Sequence, residues 1–138
     1  MSVIDVLIWL ALAVGAFASV AALWGYYSVL PGWLTGPEIC KLEHGGCAVL
    51  FRTPRAALLG IPNAWLGVLL YMSLSVGLIA GWPAWFIVLM VVPAVAMSAF
   101  LGWSLWTRNL QCRICWAGHV ANFSLFVLMI VRAGIWQP

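Results

Sequence analysis

The sequence predicts an all-α fold: an integral membrane four-helix bundle with a long cysteine-containing loop between the first and second helices. Three observations carry this prediction. Of 138 residues, 66% are hydrophobic and only 7% are charged, against about 25% charged in a soluble domain. So few polar groups cannot cover a soluble surface. Uncharged runs at 6–37, 56–107 and 114–131 offer room for one, two and one spans of about 20 apolar residues. Ten tryptophans fall near the predicted span ends, where a bilayer interface selects them. The same composition excludes a disordered chain, which is polar and charge-rich. The net charge of +3 is too small and scattered for a nucleic-acid surface.

The elements follow in order. Helix 1 is expected over residues 3–30, ended by Pro31-Gly32. Ala16-Phe17-Ala18 has the form of a cleavage site, but no basic segment precedes it and the apolar run continues through Trp24 to Leu30. A retained helix is therefore expected, not a removed signal peptide. Residues 31–60 form the only long polar connection, and 1–138 is read as one domain. Helix 2 is expected over 61–80. Gly81-Trp82-Pro83 is a turn, because Gly and Pro are the strongest breakers. Helix 3 is expected over 84–106, kinked at Pro93, which a membrane helix tolerates when neighbouring groups satisfy the freed carbonyl. Helix 4 is expected over 112–135.

Four crossings put both termini on one side. Face A then carries the 31–60 loop and the 107–111 turn, and face B carries the termini and the 81–83 turn. Trp24, Trp33, Trp65, Trp103, Trp106 and Trp116 fall near face A, and Trp9, Trp82, Trp85 and Trp136 near face B. Two aromatic belts result.

All four cysteines map to face A. Cys40 and Cys47 lie in the loop; Cys112 and Cys115 form Cys-x-x-Cys at the start of helix 4. That spacing suits a redox-active dithiol, and a helix N-terminus and the adjacent Arg113 both favour a thiolate in this pair. Zinc and a purely structural disulfide are the alternatives. Zinc ribbons use two tight Cys-x-x-Cys knuckles, whereas the loop pair here is Cys-x6-Cys with Gly45-Gly46 between; no metal is expected. Two pairs on one face suggest a relay by thiol–disulfide exchange. An external thiol protein would exchange with the loop pair, and the loop pair with the pair at the membrane edge. A terminal acceptor would then sit beside Cys115, and at a membrane boundary the natural one is a lipid-soluble quinone such as ubiquinone or menaquinone.

Polar residues gather around the same point. His119 and Asn122 follow Cys115 at i+4 and i+7 on one helix face, and Asn63 opens helix 2. Polar groups inside a membrane helix usually face the bundle interior. Asn63 and His119 are candidates to donate hydrogen bonds to two quinone carbonyls, bonds that strengthen as those oxygens gain charge. The plainer readings are a helix cap for Asn63 and interhelical hydrogen bonding for His119. Asn122 is read as a packing residue, as are Ser73, Ser75, Ser98, Ser104 and Ser124. No Ser/His/Asp triad is available, because the only Asp is Asp5 at face B.

In the Cys40…Cys47 loop, in Gly60-Ile61-Pro62-Asn63-Ala64-Trp65-Leu66-Gly67, and in Cys112-Arg113-Ile114-Cys115-Trp116-Ala117-Gly118-His119-Val120-Ala121-Asn122, the chain resembles the vitamin K epoxide reductase family, especially its microbial members. The resemblance covers essentially the whole chain. DsbB-type proteins also have four helices and two cysteine pairs, but their Cys-x-x-Cys comes first. The resemblance implies a bundle around a quinone and a thiol:quinone oxidoreductase that supports disulfide bond formation. It makes Cys40 and Cys47 the shuttle pair, has Cys47 bond transiently to Cys112, and makes Cys115 the thiolate facing the quinone. Asn63 and His119 match quinone-contacting positions. Thr53 matches a position usually held by Ser, and Phe51 is placed near the ring. With no fused thioredoxin-like domain in this chain, a separate thioredoxin-like partner is implied. A dedicated vitamin K epoxide reductase is the alternative enzyme. A membrane subunit braced by disulfides and a cysteine-independent quinone-binding or transport protein are the other classes.

Family expectation puts the cysteines outside the cytoplasm, where disulfides form. The charges point the other way. Lys41, Arg52, Arg55, Arg108 and Arg113 lie at face A and only Arg132 at face B, so the positive-inside rule puts face A in the cytoplasm of a multi-pass cell-membrane protein. Intracellular disulfides are known in hyperthermophiles.

Overall fold

The computed structural model describes residues 1–28, 57, 60–107 and 113–134. Cys40, Cys47, Phe51, Thr53 and Cys112 lie outside the described residues, as do Trp33 and Trp136. The described chain forms four helices: α1 Val3–Tyr27, α2 Asn63–Ile79, α3 Ala84–Thr107 and α4 Arg113–Arg132. No strand occurs among the described residues. The all-α membrane bundle read from the sequence is therefore the observed fold. In a bilayer only helices and closed barrels satisfy every backbone group internally.

Local chemistry sets the helix ends. Ser2 and Asp5 form a capping box on α1: the Asp5 N–H donates to Ser2 Oγ at 3.2 Å and the Ser2 N–H donates to Asp5 Oδ2 at 3.0 Å, which satisfies two orphan donors. The described α1 ends at Tyr27, with Ser28 extended. The N-cap position of α2 falls on Pro62, with ψ 131°, so this helix begins two residues later than expected. Gly81 has φ +72°, and the Trp82 N–H donates to the Gly77 carbonyl at 2.9 Å. This is a glycine-terminated helix end, and Pro83 follows at the mouth of α3. Helix α3 runs through Pro93 as one element. Helix α4 stops at Arg132, short of the expected residue 135, because Gly134 turns the backbone left-handed at φ +71°.

Helices α1, α3 and α4 are long and apolar enough to cross a membrane, and α2 is a shorter apolar helix. Large apolar side chains point outward along their middles, among them Phe17, Met72, Leu89, Phe100 and Val127. In water such a surface would be a liability; against lipid it is the expected exterior. Trp24, Trp65, Trp103 and Trp106 toward face A, and Trp9, Trp82 and Trp85 toward face B, are exposed.

The seam between α1 and α4 is built from small residues. Ala18 and Ala21 of α1 are buried against Ile114 and Ala117 of α4, and a Cβ on Gly118 of α4 would lie 3.8 Å from that of Ala18. Between apolar helices in lipid, close backbone approach is a main source of association. Helices α2 and α3 lie on either side of the opening that this arrangement leaves. Near face B, Arg132 Nε of α4 reaches Asp5 Oδ1 of α1 at 3.6 Å.

Candidate functional site

A cavity of about 440 Å³ lies within the bundle toward face A, inside the size range of small-molecule sites. All four helices line it with stripes at helical spacing. Helix α1 gives Ala18, Ser19, Ala22 and Tyr26, and α2 gives Asn63, Leu66, Gly67, Leu70 and Tyr71. Helix α3 gives Met90, Pro93, Ala94, Met97, Ser98 and Leu101, and α4 gives Cys115, Gly118, His119 and Asn122. The wall is apolar, with a few polar groups spaced along it.

Those groups include the residues that sequence reasoning selected. Cys115 lies in the first turn of α4, half-buried beside Ile114, Ala18 and Ala21. Asn63 is the first helical residue of α2. The cap position belongs to Pro62, so Asn63 is not the N-cap of its helix. His119 sits one turn past Cys115, half-buried, its ring edge-on to Trp116 at 6.1 Å between centroids and 89° between planes. Gly102 of α3 faces both rings; a Cβ there would stand 3.9 Å from each, in ordinary van der Waals contact. Asn63, Cys115 and His119, far apart in sequence, thus line one cavity. Phe51, Thr53, Cys40, Cys47 and Cys112 cannot be related to it, being outside the described residues.

Asn122, expected to serve packing alone, joins the helices more specifically. The Tyr71 hydroxyl of α2 donates to Asn122 Oδ1, and Asn122 Nδ2 donates to Ser98 Oγ of α3 at 2.7 Å. Gly15 of α1 makes space for the Tyr71 ring; a Cβ at residue 15 would overlap it. Tyr71 and Ser98 were not selected from sequence as site residues. The available signal was a hydroxyl on each helix at the same depth of an apolar span.

Across the described residues no group of three His, Cys, Asp or Glu side chains could hold a metal ion. The donors present in the cavity suit a flat apolar ligand with a few hydrogen-bond acceptors: an amide at Asn63, an imidazole at His119, and hydroxyls and an amide deeper in. A thiol at Cys115 sits at the same wall. Such a bundle places a thiol, hydrogen-bond donors and an apolar cavity of ligand size together toward one membrane edge.

The family model of the Vitamin K epoxide reductase family matches residues 6–130. The chain belongs to this family, and membership supports a quinone-linked thiol oxidoreductase in general. No curated protein and no solved structure gives a significant match.

Proposed function

We propose that the protein is a thiol:quinone oxidoreductase that supports disulfide bond formation. A separate thioredoxin-like protein would deliver two electrons to the Cys40/Cys47 pair, which passes them to Cys112/Cys115 by thiol–disulfide exchange through a mixed disulfide. Oxidation of the Cys112/Cys115 dithiol to the disulfide then releases two electrons and two protons, and the quinone takes up both to leave as the quinol. The observation that carries this reading is that Asn63, Cys115 and His119 share one cavity of ligand size inside a membrane bundle. Asn63 and His119 hold the head group through its carbonyl oxygens, and donors aimed at oxygens that gain charge favour the reduced state. The apolar wall excludes water and matches a hydrocarbon-soluble substrate.

The test is spectroscopic. Purified protein, a reduced thioredoxin-like donor and a quinone are mixed, and quinone absorbance is followed. Cys115→Ala is expected to lose at least hundredfold in rate while remaining folded. Unchanged quinone reduction in that variant rejects the relay.

For the membrane orientation we propose that face A lies in the cytoplasm, from five basic residues against one under the positive-inside rule. A membrane-impermeant maleimide applied to intact, reduced cells should leave Cys40 and Cys47 unlabelled until lysis. Labelling before lysis reverses the placement.

A further inference from the structure

Halfway down the bundle the Tyr71–Asn122–Ser98 chain carries more donors than it uses. Tyr71 and Ser98 bring one hydroxyl hydrogen each and Asn122 brings two amide hydrogens. Two of the four are spent inside the chain, from Tyr71 to Asn122 Oδ1 and from Asn122 Nδ2 to Ser98 Oγ. The Ser98 proton and the second Asn122 hydrogen meet no acceptor among the described residues. Turning the Asn122 amide over, an assignment made from the network itself, moves the spare hydroxyl proton from Ser98 to Tyr71 and leaves the excess unchanged. Ser98 and Tyr71 are 4% and 3% exposed, and each already has one partner within the chain; what is left over is donor capacity facing the cavity rather than an orphaned atom.

Ser75 shows the ordinary solution, donating back to the Tyr71 carbonyl at 2.8 Å, as hydroxyls in helices often do. Ser98 makes no such bond among the described residues. All three members of the chain line the cavity. Asn122 lies three residues beyond His119 and seven beyond Cys115, about 4.5 and 10 Å deeper along α4.

We propose that this chain is a hydrogen-bonding subsite for an oxygen of the quinone head group on the side away from Cys115. Ser98 and Asn122 are its donors. Tyr71 is a positioning residue that fixes the Asn122 amide. The inference rests on the quinone reading of the cavity and adds residues that reading does not use. It is compatible with a contact from His119, because a carbonyl oxygen has two lone pairs.

The test uses the full chain in lipid nanodiscs with a short-chain dimethoxybenzoquinone labelled with ¹³C at one carbonyl or the other, read by infrared difference spectroscopy beside steady-state kinetics. In the unaltered protein one carbonyl band should shift to lower frequency. Ser98→Ala should reverse part of that shift and raise the quinone KM about three- to tenfold, the range of one lost hydrogen bond. Asn122→Leu should do more, and Tyr71→Phe less. Exchange with the thiol donor should stay within twofold in all three. If Ser98→Ala and Asn122→Leu only lower the melting temperature, with band and KM unmoved, the chain is a packing device and the subsite is wrong while the quinone reading stands. If the unaltered protein neither binds nor reduces the quinone, both fall.

Discussion

Toward face B the four helices close on Ile8, Leu12, Leu74, Ile87, Val91, Leu125 and Met129, all buried, whereas toward face A the same helices enclose about 440 Å³ of open volume. The face B half is packed with large aliphatic side chains, has a smaller pocket of about 180 Å³ at its rim beside Trp82 and Arg132, and is clasped there by Arg132 and Asp5. In the face A half, small residues pull α1 and α4 together, and α2 and α3 stand back across the cavity. Tyr71 is the boundary: it belongs to the packed cluster and its hydroxyl opens the polar chain above. One half is a clamp and the other a holder. Filling the holder should stop function without unfolding the protein. Hollowing the clamp should weaken the protein without changing what it binds.

The largest effect is expected from filling the cavity. Ala94→Trp puts an indole into space lined by Ala94 and its neighbours; quinone reduction should fall about hundredfold while the detergent-denaturation midpoint stays near that of the parent. A small loss of rate would mean that the ligand binds elsewhere. Next is Leu74→Ala in the packed half, where Leu74 is fully buried. The soluble-core cost of such a change is about 2–5 kcal/mol. In lipid the value should be lower, about 1–3 kcal/mol, because much of the water-transfer part is absent and the lost packing remains. Denaturation in mixed micelles measures it, with the quinone KM expected to hold.

Asn63→Leu comes third. It removes a donor from the cavity wall and should raise the quinone KM about tenfold, a hydrogen bond to an oxygen that gains charge being stronger than average. An unaltered KM would remove Asn63 from the binding role. The smallest effect is expected at the clasp. Arg132 and Asp5 are partly solvent-exposed, and such ion pairs contribute little. Arg132→Gln should leave quinone kinetics unchanged and move the melting temperature only slightly, in a salt-dependent way. A large loss would give the clasp a structural weight its exposure does not suggest.

Much of this layout was legible in the sequence, and the reason differs from residue to residue. The four helices could be read because a bilayer demands long uncharged runs and because Gly81 and Pro83 break the only run that is long enough for two spans. The ends were misjudged at Pro62 and Gly134, where one backbone angle outweighs continuing hydrophobicity. Cys115, His119 and Asn122 could be placed together because a 3.6-residue period puts them on one face of α4. Ser98 and Tyr71 could not be read as partners of Asn122, since each looks like an ordinary polar residue in an apolar helix, and only the packing angle of three helices brings their oxygens and nitrogen within bonding distance.

By itself the sequence determined the membrane setting and the number and order of the helices. These depend on local quantities: charge, hydropathy, turn residues and helical period. The tertiary structure decided that Asn63 of α2 and Cys115 and His119 of α4 face one cavity, that Gly15 admits the Tyr71 ring, and that α2 and α3 stand apart to leave the volume open. Those outcomes depend on how closely α1 and α4 approach along Ala18, Ala21 and Gly118, and α1 and α2 at Gly15. That approach is set by the shapes of two surfaces in contact, which no single stretch of sequence contains.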